Sequence, residues 1–86
     1  MNLTFTPKGW ADYLLPKSNE PKLVRKLHRL LDECIRTPFE GSGKPEALKY
    51  ELTGFWSRRI TDEHRLVYAI DDDAITVISC RLHYEL

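Results

Sequence analysis

Glu46, Arg65 and His83 are, by type, a set that can break a phosphodiester through the 2′-hydroxyl of RNA. That reaction needs a base to take the hydroxyl proton, a cation to hold the charge on the phosphoryl oxygens, and an acid to protonate the departing 5′-oxygen. A carboxylate such as Glu46 could be the base. Arg65 offers a planar fork that fits two phosphate oxygens at once. His83 can hold or release a proton near neutrality, because a free imidazole titrates at about 6.5. Preorganised donors of this kind are each worth about 3 kcal/mol in rate. Tyr84, beside His83, carries a ring on which an unpaired base could stack. Lys49, Arg59 and Arg81 add cations to the same grouping. Cys34 and Cys80 are the two cysteines and have no CxxC or histidine company, so neither a disulfide framework nor a metal site is suggested, and no cofactor is expected.

These side chains matter only if the fold gathers them. A length of 86 residues points to a single domain over 1–86, without repeats or a dividing linker. Hydrophobic residues at 42% and charged residues at 30% exclude a disordered chain. No apolar run approaches the roughly 20 residues of a membrane helix. Met1–Phe5 lacks the basic and apolar regions of a secretory signal, and with reduced cysteines this points to the cytoplasm. Thirteen basic side chains balance thirteen acidic ones. Their distribution is uneven, however. Asp62, Glu63, Asp71, Asp72 and Asp73 fall in expected turns, whereas Arg58, Arg59, Arg65, Arg81, His64 and His83 sit in or beside expected strands. A locally cationic face on a neutral protein follows.

Residues 2–5 read as a short strand. Thr6-Pro7 then looks like a cap followed by proline at the first helical position, with Trp10, Tyr13 and Leu14 as an apolar stripe and Pro16 as the stop. A second helix is expected from Ser18-Asn19-Glu20-Pro21 to Arg36. Leu23, Leu27, Leu30, Leu31, Cys34 and Ile35 recur in it at three- and four-residue spacing, and Thr37-Pro38 ends it. Its other side carries Lys22, Arg25, Lys26, Arg29 and Arg36, either a solvated face or a contact for RNA or an acidic partner. Gly41-Ser42-Gly43-Lys44 superficially resembles a phosphate-cradling loop, but it follows a helix and lacks the Walker spacing.

From residue 48 the period becomes two, with strands expected at 48–52, 55–61, 65–70 and 74–83. Even positions Ile60, Leu66, Tyr68, Ile70, Ile78, Cys80 and Leu82 are mostly apolar. Odd positions Ser57, Arg59, Arg65, Ser79, Arg81 and His83 are polar, with Val67, Ala69 and Val77 among them. One face should therefore lie on a core and the other stay partly open. That register requires an odd residue count, or a bulge, around Asp62-Glu63-His64. The expected fold is α+β: two N-terminal helices on an antiparallel sheet of four or five strands. On residue types alone, a ribonuclease, an RNA-binding module and a small α+β domain without legible chemistry all remain open.

Two long segments narrow this. Arg36-Thr37-Pro38-Phe39-Glu40-Gly41-Ser42-Gly43-Lys44-Pro45-Glu46-Ala47-Leu48-Lys49 resembles a signature of the Txe/YoeB toxins, within the RelE-like superfamily. So does Gly54-Phe55-Trp56-Ser57-Arg58-Arg59-Ile60-Thr61 with Glu63-His64-Arg65-Leu66-Val67-Tyr68. Cys80-Arg81 and His83-Tyr84 are similar to the family's C-terminal end, and Trp10-Ala11-Asp12-Tyr13 to its first helix. The resemblance implies a microbial-RNase-like fold and a metal-independent endoribonuclease acting on messenger RNA in the ribosomal A site. It also implies homodimerisation and a neutralising antitoxin of the YefM type. It carries the roles of base, phosphate stabiliser and acid onto Glu46, Arg65 and His83, and substrate contacts onto Lys49, Arg59 and Tyr84. Non-catalytic alternatives are a gyrase-inhibiting toxin of the same superfamily or a plain RNA-binding module.

Two departures stand out. Leu15-Pro16 interrupts the first helix. Glu85-Leu86 follows the His-Tyr pair, where Glu85 either favours protonated His83 or lies in solvent. Trp10 and Trp56 are expected in core or interface, Cys34 and Cys80 as buried thiols, His64 as a local hydrogen-bonding residue and His28 as exposed.

Overall fold

The computed structural model describes residues 1–14 and 21–81. In chain order it contains β1 (Asn2–Phe5), α1 (Pro7–Leu14), α2 (Pro21–Arg36), β2 (Glu46–Ala47), a 3₁₀ turn (Tyr50–Leu52), β3 (Phe55–Arg59), β4 (Arg65–Ile70) and β5 (Ala74–Ser79). The strands form one sheet in the order β1-β5-β4-β3-β2. The expected α+β architecture is present, with one difference: β1 runs parallel to β5, Asn2 opposite Ala74 and Phe5 opposite Val77. A parallel neighbour needs a long crossover, and here everything from α1 to β4 lies between the two strands.

The cap before α1 forms as expected: Gly9 N–H donates to Thr6 Oγ1 at 3.0 Å. That hydroxyl also lies 3.3 and 3.2 Å from the carbonyl oxygens of Val77 and Ile78, joining the helix start to β5. Asp12 is buried and accepts both the Cys80 backbone N–H at 3.1 Å and Lys8 Nζ at 3.0 Å. The expected stop at Pro16 and the helix start at Ser18-Asn19-Glu20 lie outside the described residues.

α2 buries Leu23, Leu27, Leu30, Leu31 and Cys34. They meet Ile60, Leu66, Tyr68, Ile75, Val77 and Cys80 in one core. Each fully buried leucine contributes about 1.5–3 kcal/mol. α2 ends at Arg36, where Thr37 N–H closes on Glu33 O at 2.7 Å.

The β3–β4 connection settles the register. Arg59 lies opposite Arg65, and the N–H groups of Ile60 and Thr61 both donate to His64 O. Only Thr61, Asp62 and Glu63 separate Ile60 from His64, the odd count that keeps both arginines on one face.

Two local expectations are corrected. Residues 48–52 are not a strand. Pairing with β3 covers Glu46 and Ala47 and ends with Leu48 N–H on Phe55 O. Tyr50 has a φ of 59°, in the left-handed region, and starts a 3₁₀ turn instead. In β5 the expected sides of Val77 and Ile78 are exchanged. Val77 lies opposite Tyr68 and is fully buried in the core, while Ser79 lies opposite Val67. Ile78 is the extra residue of a bulge, which restores the even-in, odd-out order from Ser79 onward.

Candidate active site

Glu46 reaches the sheet at the end of a loop that starts at Thr37. Gly41 and Gly43 have φ of 116° and 82° and Lys44 has 53°, so the loop turns tightly through backbone that favours glycine. Gly43 O accepts the Arg59 N–H at 2.6 Å, and Glu46 then lies opposite Ser57.

Strand pairing continues that row: Glu46 opposite Ser57, Ser57 opposite Val67, Val67 opposite Ser79. Cross-strand partners share a face, so all four point to the side away from α2. Arg59 and Arg65, opposite each other, stand two residues along from Ser57 and Val67 and occupy the next row of that face. Arg81 follows Ser79 by two residues and is half-buried. A strand spacing of about 4.8 Å and a rise of about 3.4 Å per residue separate the Cα atoms of Glu46 and Arg65 by roughly 12 Å.

Glu46 and Arg59 are exposed and Arg65 is half-buried. Arg65 Nη1 donates to Thr61 O at 2.6 Å, His64 O at 3.1 Å and Asp62 O at 3.3 Å. The turn thereby orients the guanidinium through one nitrogen, and among the described residues Nη2 and Nε have no hydrogen-bond partner. Ser79 Oγ, buried in the Glu46 row, has no hydrogen-bond partner among the described residues. Lys49 is exposed, in extended backbone at the start of the 3₁₀ turn. His83 and Tyr84 lie outside the described residues.

Arg58 is the largest departure from the expected cationic face. It points to the core side and is 0% exposed. Nε donates to Tyr68 Oη at 3.2 Å, Nη1 to Ser42 O at 3.2 Å, and Nη2 to Glu40 O at 2.8 Å and to Thr37 O. Tyr68 Oη donates on to Pro38 O at 2.8 Å. Glu33, on α2, accepts the Ser42 N–H at 3.0 Å, and this bond leads the causes that hold its carboxyl below the usual range. The signal for this arrangement was the even position of Arg58, between Trp56 and Ile60.

The remaining expectations resolve simply. Burial pushes the Cys34 thiol up to about 11 and the Cys80 thiol up to about 12, so both stay protonated and inert near neutrality. His64 is buried in the turn, with its N–H on Thr61 Oγ1 at 3.1 Å. His28 is exposed, its Nε2 2.9 Å from Tyr13 Oη. Trp56 packs against the core and edge-on to Phe39, whereas Trp10 is half exposed beside Phe5 and Tyr13. On α2, Lys22, Arg25, Lys26 and Arg29 line a shallow cleft of about 400 Å³, while Arg36 pairs with Asp32 at 2.6 Å. No helix among the described residues is long and apolar enough to cross a membrane.

The chain as a whole has relatives among known proteins. Residues 5–84 match a family model described as a YoeB-like toxin of bacterial type II toxin-antitoxin systems. Toxin YoeB of Escherichia coli K12 is 51% identical over 84 residues, covering 98% of this chain and all of that one. A YoeB/ParE toxin structure from Agrobacterium tumefaciens superposes with a TM-score of 0.93 at 44% identity, over 98% of this chain and all of the other. A YoeB dimer from Staphylococcus aureus superposes at 0.89 and a heterotetrameric YoeB-YefM complex from the same organism at 0.88, both 48% identical over 98% of each chain.

Proposed function

We infer function from membership: the chain belongs to the YoeB-like family of toxins of bacterial type II toxin–antitoxin systems. Within that family we read it as a ribosome-dependent endoribonuclease that cuts messenger RNA in the ribosomal A site and so stops translation. One observation carries this reading: the strand register sets Glu46, Arg59 and Arg65 on the same face of the sheet in adjacent rows, Glu46 and Arg59 exposed there although Ser57, Val67 and Ser79 between them are buried.

In the proposed reaction Glu46 takes the proton of the 2′-hydroxyl, and the 2′-oxygen attacks the adjacent phosphorus. Arg65, with its fork oriented by the turn carbonyls, and Arg59 opposite it hold the phosphoryl oxygens as charge develops. The bond from phosphorus to the 5′-oxygen breaks, a 2′,3′-cyclic phosphate forms, and His83 gives the leaving oxygen its proton. Lys49 contacts the backbone and Tyr84 stacks on a base. A YefM-type antitoxin neutralises the toxin, a homodimer is the working assembly, and the cytoplasm is the site of action. Relatives solved as a YoeB dimer and as a YoeB-YefM complex support the two protein partners.

Induced expression followed by primer extension on cellular mRNA tests the reading. Codon-linked cuts are expected, and Glu46→Ala or His83→Gln restores growth at equal expression. Intact mRNA accompanied by DNA breaks would instead identify a gyrase inhibitor. RNA binding that survives His83→Gln, with no cut product from the unaltered chain either, would identify a plain binding module.

A further inference from the structure

We propose that Arg58 is a positioning residue for Glu46, setting from the far side of the sheet the loop that delivers this carboxylate to the face away from α2. The proposal rests on reading Glu46 as the base.

The loop from Thr37 to Glu46 is tied at several points to three consecutive residues of β3. Ser57 lies opposite Glu46, and Arg59 N–H donates to Gly43 O. Between them, Arg58 sends its side chain to the core face and binds the carbonyls of Thr37, Glu40 and Ser42. One stretch of strand therefore grips the loop from both faces. β2 is only two residues long, too short to set its own place, so the loop governs where Glu46 sits.

A fully buried guanidinium is expensive to desolvate, and an apolar side chain of similar volume would often serve stability equally well. The nearest carboxylate among the described residues, Glu33, stands 3.9 Å from Nη1, outside hydrogen-bond distance, so carbonyls of the loop and the Tyr68 hydroxyl satisfy the cation. A lysine could not hold these groups in the plane of a fork. The loop leaves no slack against it. A Cβ on Gly41 would stand 2.7 Å from Glu33 Oε1 and 3.2 Å from Arg58 Nη1. One on Gly43 would stand 2.9 Å from Arg59 O.

Arg58→Lys in the full chain tests this. Amide hydrogen exchange at Ser42 and Arg59 should accelerate while β4 and β5 stay protected. Single-turnover cleavage on mRNA-programmed ribosomes should slow on the order of 10- to 100-fold, with ribosome affinity within about twofold. In a Glu46→Gln background the same change should add nothing, because a residue acting only through Glu46 has no further effect once that carboxylate is gone. Unchanged loop exchange, or losses that multiply in the double variant, would overturn the proposal. If Arg58→Lys fails to fold, Tyr68→Phe frees Nε of the same fork and the Pro38 carbonyl of the same loop and should give the same exchange and rate profile; no change in either would equally overturn it. Full activity of Glu46→Gln alone would remove the base assignment, and the exchange measurement would still decide whether Arg58 holds the loop.

Discussion

Replacing Tyr68 by phenylalanine removes one oxygen from a site where two groups depend on it. The hydroxyl is buried, accepts from Arg58 Nε at 3.2 Å and donates to Pro38 O at 2.8 Å. Phenylalanine keeps the ring and its packing but strands a carbonyl and an N–H of a charged group. A stranded buried group costs about 1–3 kcal/mol, the fully buried charged N–H of Arg58 near the top of that range and the half-buried Pro38 carbonyl less, so Tyr68→Phe should lose roughly 3 kcal/mol. A chain of this length is held by only about 4–13 kcal/mol in all. At about 4–8 °C per kcal/mol the midpoint of thermal unfolding should fall by more than 10 °C. Urea unfolding followed by circular dichroism measures the loss, with the slope on denaturant unchanged.

The same substitution has a signature in alkali. Burial pushes the Tyr68 hydroxyl up to about 12. A group with a raised folded value contributes stability that is complete below its unfolded value, near 10 for tyrosine, and is lost as pH rises through the folded value. The unaltered chain should therefore lose stability between about pH 10 and 12, and Tyr68→Phe should lose that share of the slope. A stability change under about 0.5 kcal/mol, or a gain, would refute the reasoning, because burial of the ring would then outweigh the two stranded partners.

Gly9→Ala sets propensity against packing. Alanine is worth up to about 1 kcal/mol over glycine inside a helix. Its Cβ, however, would stand 2.3 Å from the backbone oxygen of Val77, so α1 must lift off β5. Net destabilisation of about 1–3 kcal/mol in urea is expected. The thiols give a simpler test: Cys34 and Cys80 should resist a disulfide reagent at pH 8 in the folded chain and both react once it is unfolded. Prompt labelling of the folded protein would contradict their burial.

The sequence was most legible where a pattern repeats. The leucine spacing of α2, the Thr6-Pro7 cap and the odd-numbered turn after Ile60 all follow from local rules and are found as expected. Alternation likewise put Arg59 and Arg65 on one face, whereas Glu46, expected in the connection before the strands, owes its place beside them to the pairing of β2 with β3. Non-local facts were not. Nothing near residues 2–5 says that they will lie parallel to β5. The bulge at Ile78 changes one count, so Val77 rather than Ile78 enters the core. Tyr50 interrupts what reads as alternation because its backbone is left-handed, which its side chain does not announce. Arg58 was read by its charge, although its parity already placed it inward. A charged side chain is rarely fully buried unless its bonds are satisfied, and the carbonyls that satisfy it come from a loop 16 to 21 positions away.

The pairing of Thr4 with Thr76, 72 positions apart, also orders events during synthesis. β1 is made before every other strand, yet its neighbour in the sheet is β5, made after β2, β3 and β4. Until β5 emerges, β1 lacks the strand it pairs with and must wait for it. The antiparallel hairpins can assemble first, and docking of β1 with α1 then becomes a late event that closes one edge of the sheet.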